Sequence, residues 1–249
     1  MIGIITPTGA RQSQINLCKI WMQRQTYTGQ VAWIIVDDAY PRTIENVIRP
    51  GWDVIKVYPE PRWMTGQNTQ GRNIAAGVNT LLANFKDIEA IFIIEDDDYY
   101  RPVYLEKMMQ KLNGFDLIGE RNTIYYNVYQ RRHFTNPNNI HSSLFQTAFT
   151  LNAIPVLELS LENRFIDCAL WRDVKNSFLF NDGNLAIGMK GMPGRGGIGA
   201  GHSKMRSMPE DRDMNYLKSL IGQEDAKLYE RYYGNFSMLK HEKFDRRGR

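Results

Sequence analysis

Short apolar runs alternate with amphipathic stretches along the first half of the chain. Runs that are apolar almost throughout predict four buried strands, at 2–7, 31–36, 54–58 and 90–94. Apolar residues at helical spacing predict three helices, at 12–24, at 71–84 and from Pro102 onward. Buried strands separated by helices predict an α/β fold with a mostly parallel central sheet and helices on both faces.

The second half of the chain has a less regular pattern. A tyrosine-rich stretch at 123–130 predicts a strand, and 165–174 predicts a helix. We expect the polar stretch at 134–143 to be a loop. The segment 186–202 has seven glycines, and we expect it to be largely loop as well.

Acidic residues follow two of the predicted strands. Asp37 and Asp38 end the second strand, and four adjacent carboxylates, at 95–98, follow the fourth. Because parallel strands bind ligands at their carboxyl ends, both groups are expected on one rim of the sheet. Adjacent carboxylates repel one another unless a cation relieves them, and Mg²⁺ or Mn²⁺ prefers oxygen ligands. In extended backbone, Asp96 and Asp98 would point to one side of the chain and the other two acids to the opposite side.

Further residues are candidates for binding or catalysis, each with a plainer alternative. Arg72 lies at a helix start, where it would contact a diphosphate or remain a solvated arginine. Asp167 lies between apolar residues, which favours a buried structural acid over a general base. Lys190 and Arg195 lie in the glycine-rich segment, which would wrap a diphosphate or form a surface loop. His202, in the same segment, is a candidate metal ligand.

Composition narrows the class of protein. The chain has 249 residues, of which 43% are hydrophobic and 23% charged, as in soluble globular proteins. Its longest apolar run has six residues, too short for a membrane helix, and its first residues do not resemble a signal peptide. We interpret Cys18 and Cys168 as small core residues in a reducing compartment. The net charge of +4 arises in the last quarter, where 13 basic residues face 8 acidic ones. This excess suits a phosphate or a nucleic acid, or a solvated basic tail.

Taken in order, the motifs resemble the family 2 glycosyltransferases of the GT-A fold. The matching segments are spread in the family's order over roughly residues 1–175: Ile2–Thr8, Ile34–Ala39, Gly71–Gly77, Ile94–Pro102 and Ile166–Trp171. Three positions differ from the family pattern. Glu95 replaces the first Asp of the acidic motif, Ile166 replaces an acid before the base, and Ala39 replaces Gly. A basic member without membrane helices looks like an accessory transferase of a phage or bacterium, located in the cytoplasm (of the host, if phage-encoded).

The resemblance implies a nucleotide diphosphate sugar as donor and assigns roles to the candidate residues. Asp167 would be the base of an inverting transfer to a hydroxyl acceptor. Asp98 and Asp97, with His202 as a further ligand, would hold Mn²⁺ or Mg²⁺. Donor contacts would come from Thr6, Pro7, Asp37, Asp38, Arg72, Asp96, Asp97, Lys190 and Arg195. Residues 1–185 would form the GT-A-like catalytic domain, and 186–249 a loop-rich, basic C-terminal extension.

Several alternatives stay open at this point. The acceptor is either a hydroxymethylated base in DNA or a saccharide or lipid-linked group. Two other classes of protein also fit parts of the sequence: a non-catalytic nucleic-acid-binding protein, and a metal-dependent phosphotransferase or nuclease. The identity of the sugar, the nucleotide and the oligomeric state are not predicted.

Overall fold

The computed structural model describes residues 1–39, 49–196 and 207–234. The strands in these ranges are β1 (Ile2–Thr8), β2 (Val31–Asp37), β3 (Trp52–Val57), β4 (Ala90–Ile93), β5 (Tyr99–Tyr100), β6 (Leu117–Glu120), β7 (Thr123–Asn127), β8 (Arg132–Asn136), β9 (Thr147–Phe149), β10 (Ser177–Phe180) and β11 (Ala186–Lys190). The α-helices are α1 (Gln12–Gln23), α2 (Gln70–Asn84), α3 (Tyr104–Leu112), α4 (Ile154–Ser160), α5 (Ile166–Asp173), α6 (Asn215–Ile221) and α7 (Gln223–Lys227). Short 3-10 helices occur at Leu144–Gln146, Leu151–Ala153 and Glu230–Tyr232.

A seven-stranded sheet forms the centre of the molecule. Its strand order is β10-β6-β9-β4-β1-β2-β3. Strands β4, β1, β2 and β3 pair in parallel, as do β6 and β10, whereas β9 runs antiparallel to both of its neighbours. The predicted α/β class with a mostly parallel central sheet is confirmed.

The two faces of the sheet bury two separate sets of side chains. Along β2, alternate residues contribute to opposite faces, because successive side chains of a strand point in opposite directions. Helices α1 and α3 cover one face, and α2, α4 and α5 cover the other. This double cover explains why β1 and β2 are apolar almost throughout.

A second sheet has four strands in the order β5-β11-β7-β8. Two predictions about loops were wrong because of this sheet. The stretch 134–143 does not lie wholly in a loop, because β8 pairs antiparallel with β7 as far as Asn136. The stretch 186–202 begins with the fully buried strand β11, which lies between β5 and β7. Backbone pairing on both sides stabilises β11 despite its glycine. His202 lies outside the described residues.

The segment 207–234 packs on the face covered by α1. Residues of α6 and α7 belong to the same apolar core as α1, and the ring of Tyr229 stacks on Trp21 with centroids 6.4 Å apart. The predicted division at 185/186 stays a prediction. None of the helices in the described ranges has the length and apolar character needed to cross a membrane.

Candidate active site

A cleft opens at the carboxyl ends of β1, β2 and β4. These strands are neighbours in the sheet, with Thr8 opposite Asp37 and Ile5 opposite Ile93, so the residues that follow them meet at one edge. The cleft is lined by side chains from several elements, most of them charged or aromatic, among them Pro7, Thr8, Arg11, Glu95, Asp97, Tyr125, Phe165, Asp167, Lys190 and Arg195. Of the acids that were predicted to lie on the rim, Glu95 and Asp97 line this cleft.

The acidic segment after β4 forms a turn, with the Asp98 N–H donating to the Glu95 carbonyl at 3.4 Å. The predicted pairing of Asp96 with Asp98 on one side is therefore wrong, because it assumed extended backbone. Glu95, Asp97 and Asp98 each offer a carboxylate oxygen, and these oxygens all lie within 4.8 Å of one another. Asp96 instead accepts a hydrogen bond from the Thr8 hydroxyl at 2.6 Å.

Two cations, the partly buried Arg11 and the buried Lys190, lie against the four carboxylates. Arg11 spans two of them, with Nη1 3.0 Å from Asp96 Oδ1 and Nη2 2.7 Å from Asp97 Oδ2. Lys190 Nζ lies 2.8 Å from Asp98 Oδ1 and 3.4 Å from Asp97 Oδ2. If all six groups are charged, four negative charges face two positive ones, so the cluster retains a net charge of −2.

Burial works against this negative charge. It raises the pKa of Glu95 to about 7, in opposition to the lowering effect of Lys190. It likewise raises the pKa of Asp96 to about 6, although Arg11 lowers it, and it raises the pKa of Asp98 well above the usual range. The free-energy cost of removing these carboxylates from water is therefore larger than the stabilisation that the two cations provide. A further cation would stabilise the ionised cluster.

The donor set fits a hard divalent cation. Mg²⁺ and Mn²⁺ take carboxylate oxygens, and a divalent ion matches the residual charge of −2. Asp98 is fully buried, and its Oδ2 has no hydrogen-bond partner among the described residues. A buried carboxylate oxygen without a partner is costly unless a cation binds it. Glu95, Asp97 and Asp98 are therefore the residues that would hold a metal.

Asp38 forms the centre of a second charged group beside the cleft. Its carboxylate accepts from Arg195 Nη1 at 2.9 Å, from Arg72 Nη2 at 3.2 Å and from the hydroxyl of Thr69. Arg195 also lies over the ring of Trp63, 4.7 Å from its centroid. Through these contacts, Asp38 holds the side chains of Arg72 and Arg195 in fixed orientations.

Asp167 reaches the cleft from the first turn of α5. Its neighbours along the helix, Ile166 and Leu170, are buried against the central sheet, and this packing sets the direction in which Asp167 faces. The side chain is half-buried, and Oδ1 accepts from the Cys168 N–H at 2.9 Å. Asp167 lines the cleft from α5 and not from the acidic turn. We therefore expect its carboxylate to have a chemical role different from that of the acidic turn.

The structure brings together some of the predicted site residues and separates others. Five of them line the cleft: Pro7, Asp97, Asp167, Lys190 and Arg195. Thr6 is buried in the core, where its hydroxyl accepts from Trp33 Nε1 at 2.9 Å. Arg72 lines a different concave surface, beside α4. Asp37 is buried at the end of β2 and accepts from the Ala39 N–H at 3.1 Å.

Sequence reasoning missed Thr8 and Arg11 as site residues. Arg11 had a usable signal, because it closely follows the first buried strand and so belongs to the same rim as the acids. One interpretation of the cysteines was wrong: Cys18 is buried, but Cys168 is exposed.

Comparison with known proteins shows which known fold this structure resembles. No family model matches the chain, and no curated protein matches its sequence. The structure is similar to that of S. aureus TarS, with a TM-score of 0.56 and 11% identity over 76% of this chain and 37% of TarS. It is also similar to residues 1–349 of S. aureus TarS in complex with UDP, with a TM-score of 0.54 and 13% identity over 76% of this chain and 60% of that one.

The chain therefore spans less than two thirds of the TarS chains that it matches. At this level of identity the likeness concerns the fold alone. The protein has a GT-A-like fold.

Proposed function

We propose that this protein is a metal-dependent, inverting glycosyltransferase that moves a sugar from a nucleotide diphosphate sugar to a hydroxyl acceptor. The observation that carries the proposal is one cleft lined by the acidic turn, by four basic side chains and by a separate carboxylate, Asp167. The motif order supports it, and so does a TarS complex of similar fold that contains UDP.

The donor side of the site supplies positive charge to a diphosphate. Arg11, Lys190 and Arg195 line the cleft and already contact carboxylates, so their positions are held before a donor binds. Preorganised cations stabilise charge that develops on a leaving group without further reorganisation. A bound Mn²⁺ or Mg²⁺ held by Glu95, Asp97 and Asp98 would supply Lewis-acid stabilisation of the same charge.

The acceptor side depends on Asp167. Its carboxylate takes the proton of the acceptor hydroxyl as that oxygen forms a bond to the anomeric carbon. The bond between this carbon and the diphosphate oxygen breaks, and the electron pair leaves with the nucleoside diphosphate. Attack opposite the leaving group inverts the anomeric configuration. A positioned general base contributes about 10²–10⁴-fold to such a step.

The acceptor class determines how binding responds to salt. The excess of 13 basic over 8 acidic residues in the last quarter favours a hydroxymethylated base in DNA, and aromatic groups such as Tyr125 and Phe165 line the cleft. DNA binding that weakens steeply between low and physiological salt would support this acceptor. Salt-independent binding of a saccharide or lipid-linked acceptor would support the other class.

The test of the proposal separates donor binding from transfer. Calorimetry measures binding of UDP and UDP-sugars with and without Mn²⁺, and release of the nucleoside diphosphate measures turnover. We expect Asp167→Asn to keep donor binding and to lose about 10²–10⁴-fold in turnover. We expect Asp98→Asn to fold and to lose the Mn²⁺-dependent part of both signals.

The matched control is Asp173→Asn, since Asp173 is exposed on the same helix as Asp167. Normal turnover by Asp167→Asn would remove the base assignment. Absence of cation-dependent nucleotide binding in the unaltered protein would favour the non-catalytic class. Phosphodiester cleavage without any sugar nucleotide would favour the nuclease.

A further inference from the structure

A second cluster of metal-binding side chains lies beside Asp167. His141 precedes the 3-10 helix Leu144–Gln146, and Asp167 and Cys168 lie in the first turn of α5. One ligand atom from each of the three residues lies within 4.8 Å of the other two. His141 and Asp167 are half-buried and Cys168 is exposed, so an ion could reach all three from solvent.

The separation of the two softer ligand atoms suits tetrahedral zinc. Cys168 Sγ and His141 Nε2 are 3.6 Å apart. Zinc bonds of about 2.3 Å to sulfur and about 2.0–2.1 Å to nitrogen place these atoms about 3.5 Å apart at a tetrahedral angle. The two side chains therefore need almost no movement to share one ion. A thiol–imidazole hydrogen bond has a similar length, so the test must distinguish the two.

The backbone around the cluster is held in place on both sides. The Asn138 side chain accepts from the N–H groups of Ile140 and His141, both at 3.4 Å. The Ser142 hydroxyl donates to the Glu120 carbonyl at 2.7 Å. These contacts fix the loop on either side of the imidazole. Ligands held in this way lose little entropy when an ion binds.

We propose that His141, Asp167 and Cys168 form a zinc site that is separate from the acidic turn. The ligand set has one nitrogen, one oxygen and one sulfur, which suits zinc better than Mg²⁺. Binding releases the thiol proton to solvent, and the thiolate and carboxylate balance the charge of the ion. Three protein ligands leave a fourth position for water.

The consequence for activity rests on the proposed function. An ion on Asp167 takes the lone pair that would accept the acceptor proton, so zinc should inhibit transfer reversibly. A chelator should restore activity. The binding itself does not depend on that role and can be measured without any donor.

The experiment uses Co²⁺ as a spectroscopic probe of the full chain, with excess Mg²⁺ to occupy the acidic turn. We expect an absorption band from thiolate-to-cobalt charge transfer with one ion per chain. Cys168→Ser should abolish the band, and His141→Ala should weaken Co²⁺ binding about tenfold or more. The matched controls are Cys18→Ala, which changes the buried cysteine, and Asp173→Asn; both should keep the band. Circular dichroism confirms that each variant is folded.

Two outcomes overturn the site: absence of the thiolate band, and a band that survives Cys168→Ser. The inhibition assay then separates the two proposals. A band without inhibition by zinc leaves the metal site standing and contradicts the base role of Asp167. Loss of turnover in Asp167→Asn without any band leaves the transferase standing and contradicts the zinc site.

Discussion

The individual carboxylates of the acidic turn have different partners although they are adjacent in the chain. Asp96 is held by Thr8 and Arg11, whereas Asp98 accepts from Lys190 and from the Met189 N–H. Glu95 accepts from Gln70 at 2.7 Å and has a pKa that burial raises to about 7. Asp96, whose pKa burial raises to about 6, and Glu95 therefore both change protonation close to neutral pH.

The raised pKa of Glu95 predicts how the free energy of unfolding depends on pH. Folded Glu95 keeps its proton up to about pH 7, whereas the unfolded chain releases it near 4.5. Between these values the folded state binds more protons, so the contribution of Glu95 to stability falls as pH rises. Without divalent ions, the midpoint of thermal unfolding should fall more between pH 5 and pH 8 in the unaltered protein than in Glu95→Gln.

Divalent ions should reverse this trend, because they bind the ionised carboxylate. Mn²⁺ should raise the unfolding midpoint of the unaltered protein more at pH 8 than at pH 5. Equal pH slopes for the unaltered protein and Glu95→Gln, measured in a chelator, would contradict the raised pKa.

At the level of elements, the pattern of apolar runs predicted those strands and helices whose positions depend on burial alone. Strands β1, β2 and β4 and helices α1 and α2 match their predicted positions closely, because each is buried against the central sheet. Strands β8 and β11 were missed for a different reason. Their stability comes from pairing with β7, which is distant from β11 in the chain. A run rich in polar residues or glycine carries no local sign of such a partner.

The same long-range pairing determines how Lys190 reaches the site. Strand β11 passes close to the ring of Tyr125 at Gly188, where a Cβ would lie 2.5 Å from Tyr125 Cδ1 and 3.3 Å from Phe145 Cζ. Lys190, two residues further on, lies near the same two rings. The glycine therefore allows the strand to approach closely enough for the lysine to contact the carboxylates.

Gly188→Ala should accordingly damage both stability and activity. Forcing a methyl group into this contact costs about 1–3 kcal/mol in the free energy of unfolding, and displacement of β11 moves Lys190 away from Asp98. Urea unfolding and the turnover assay measure the two effects. As a control, Tyr125→Ala makes room, so the double variant should be more stable than the sum of the single variants predicts. Strict additivity would contradict the proposed clash.

Across the whole molecule, the site combines parts that are far apart in the chain. The first strand supplies Thr8, residues 95–98 supply the acidic turn, and β11 supplies Lys190. The GT-A-like fold explains this convergence, because neighbouring parallel strands end at one edge. The pattern of buried strands, two of them followed by acids, predicted that these acids lie on one rim. It did not predict the contribution of the second sheet, whose strands β7, β8 and β11 lie outside the motifs that resemble family 2 glycosyltransferases.

The segment 207–234 is joined to the rest of the molecule through Asp211. This buried carboxylate accepts from the Tyr126 hydroxyl of β7 and from the N–H groups of Tyr216 and Leu217 in α6, each at 3.0 Å. Asp211→Ala removes a helix cap and leaves the Tyr126 hydroxyl without this partner. It should therefore lower the free energy of unfolding by about 2–3 kcal/mol. The exposed neighbour Asp213→Ala serves as the control and should have little effect.

The shape of the unfolding curve then tests the division predicted at 185/186. Because α6 and α7 share an apolar core with α1, we expect one urea transition, with coincident fluorescence and circular dichroism signals. Asp211→Ala should shift its midpoint and leave its slope unchanged. An additional early transition in that variant would mean that the C-terminal segment unfolds separately. In that case residues 186–249 would behave as an extension added to an independently stable domain.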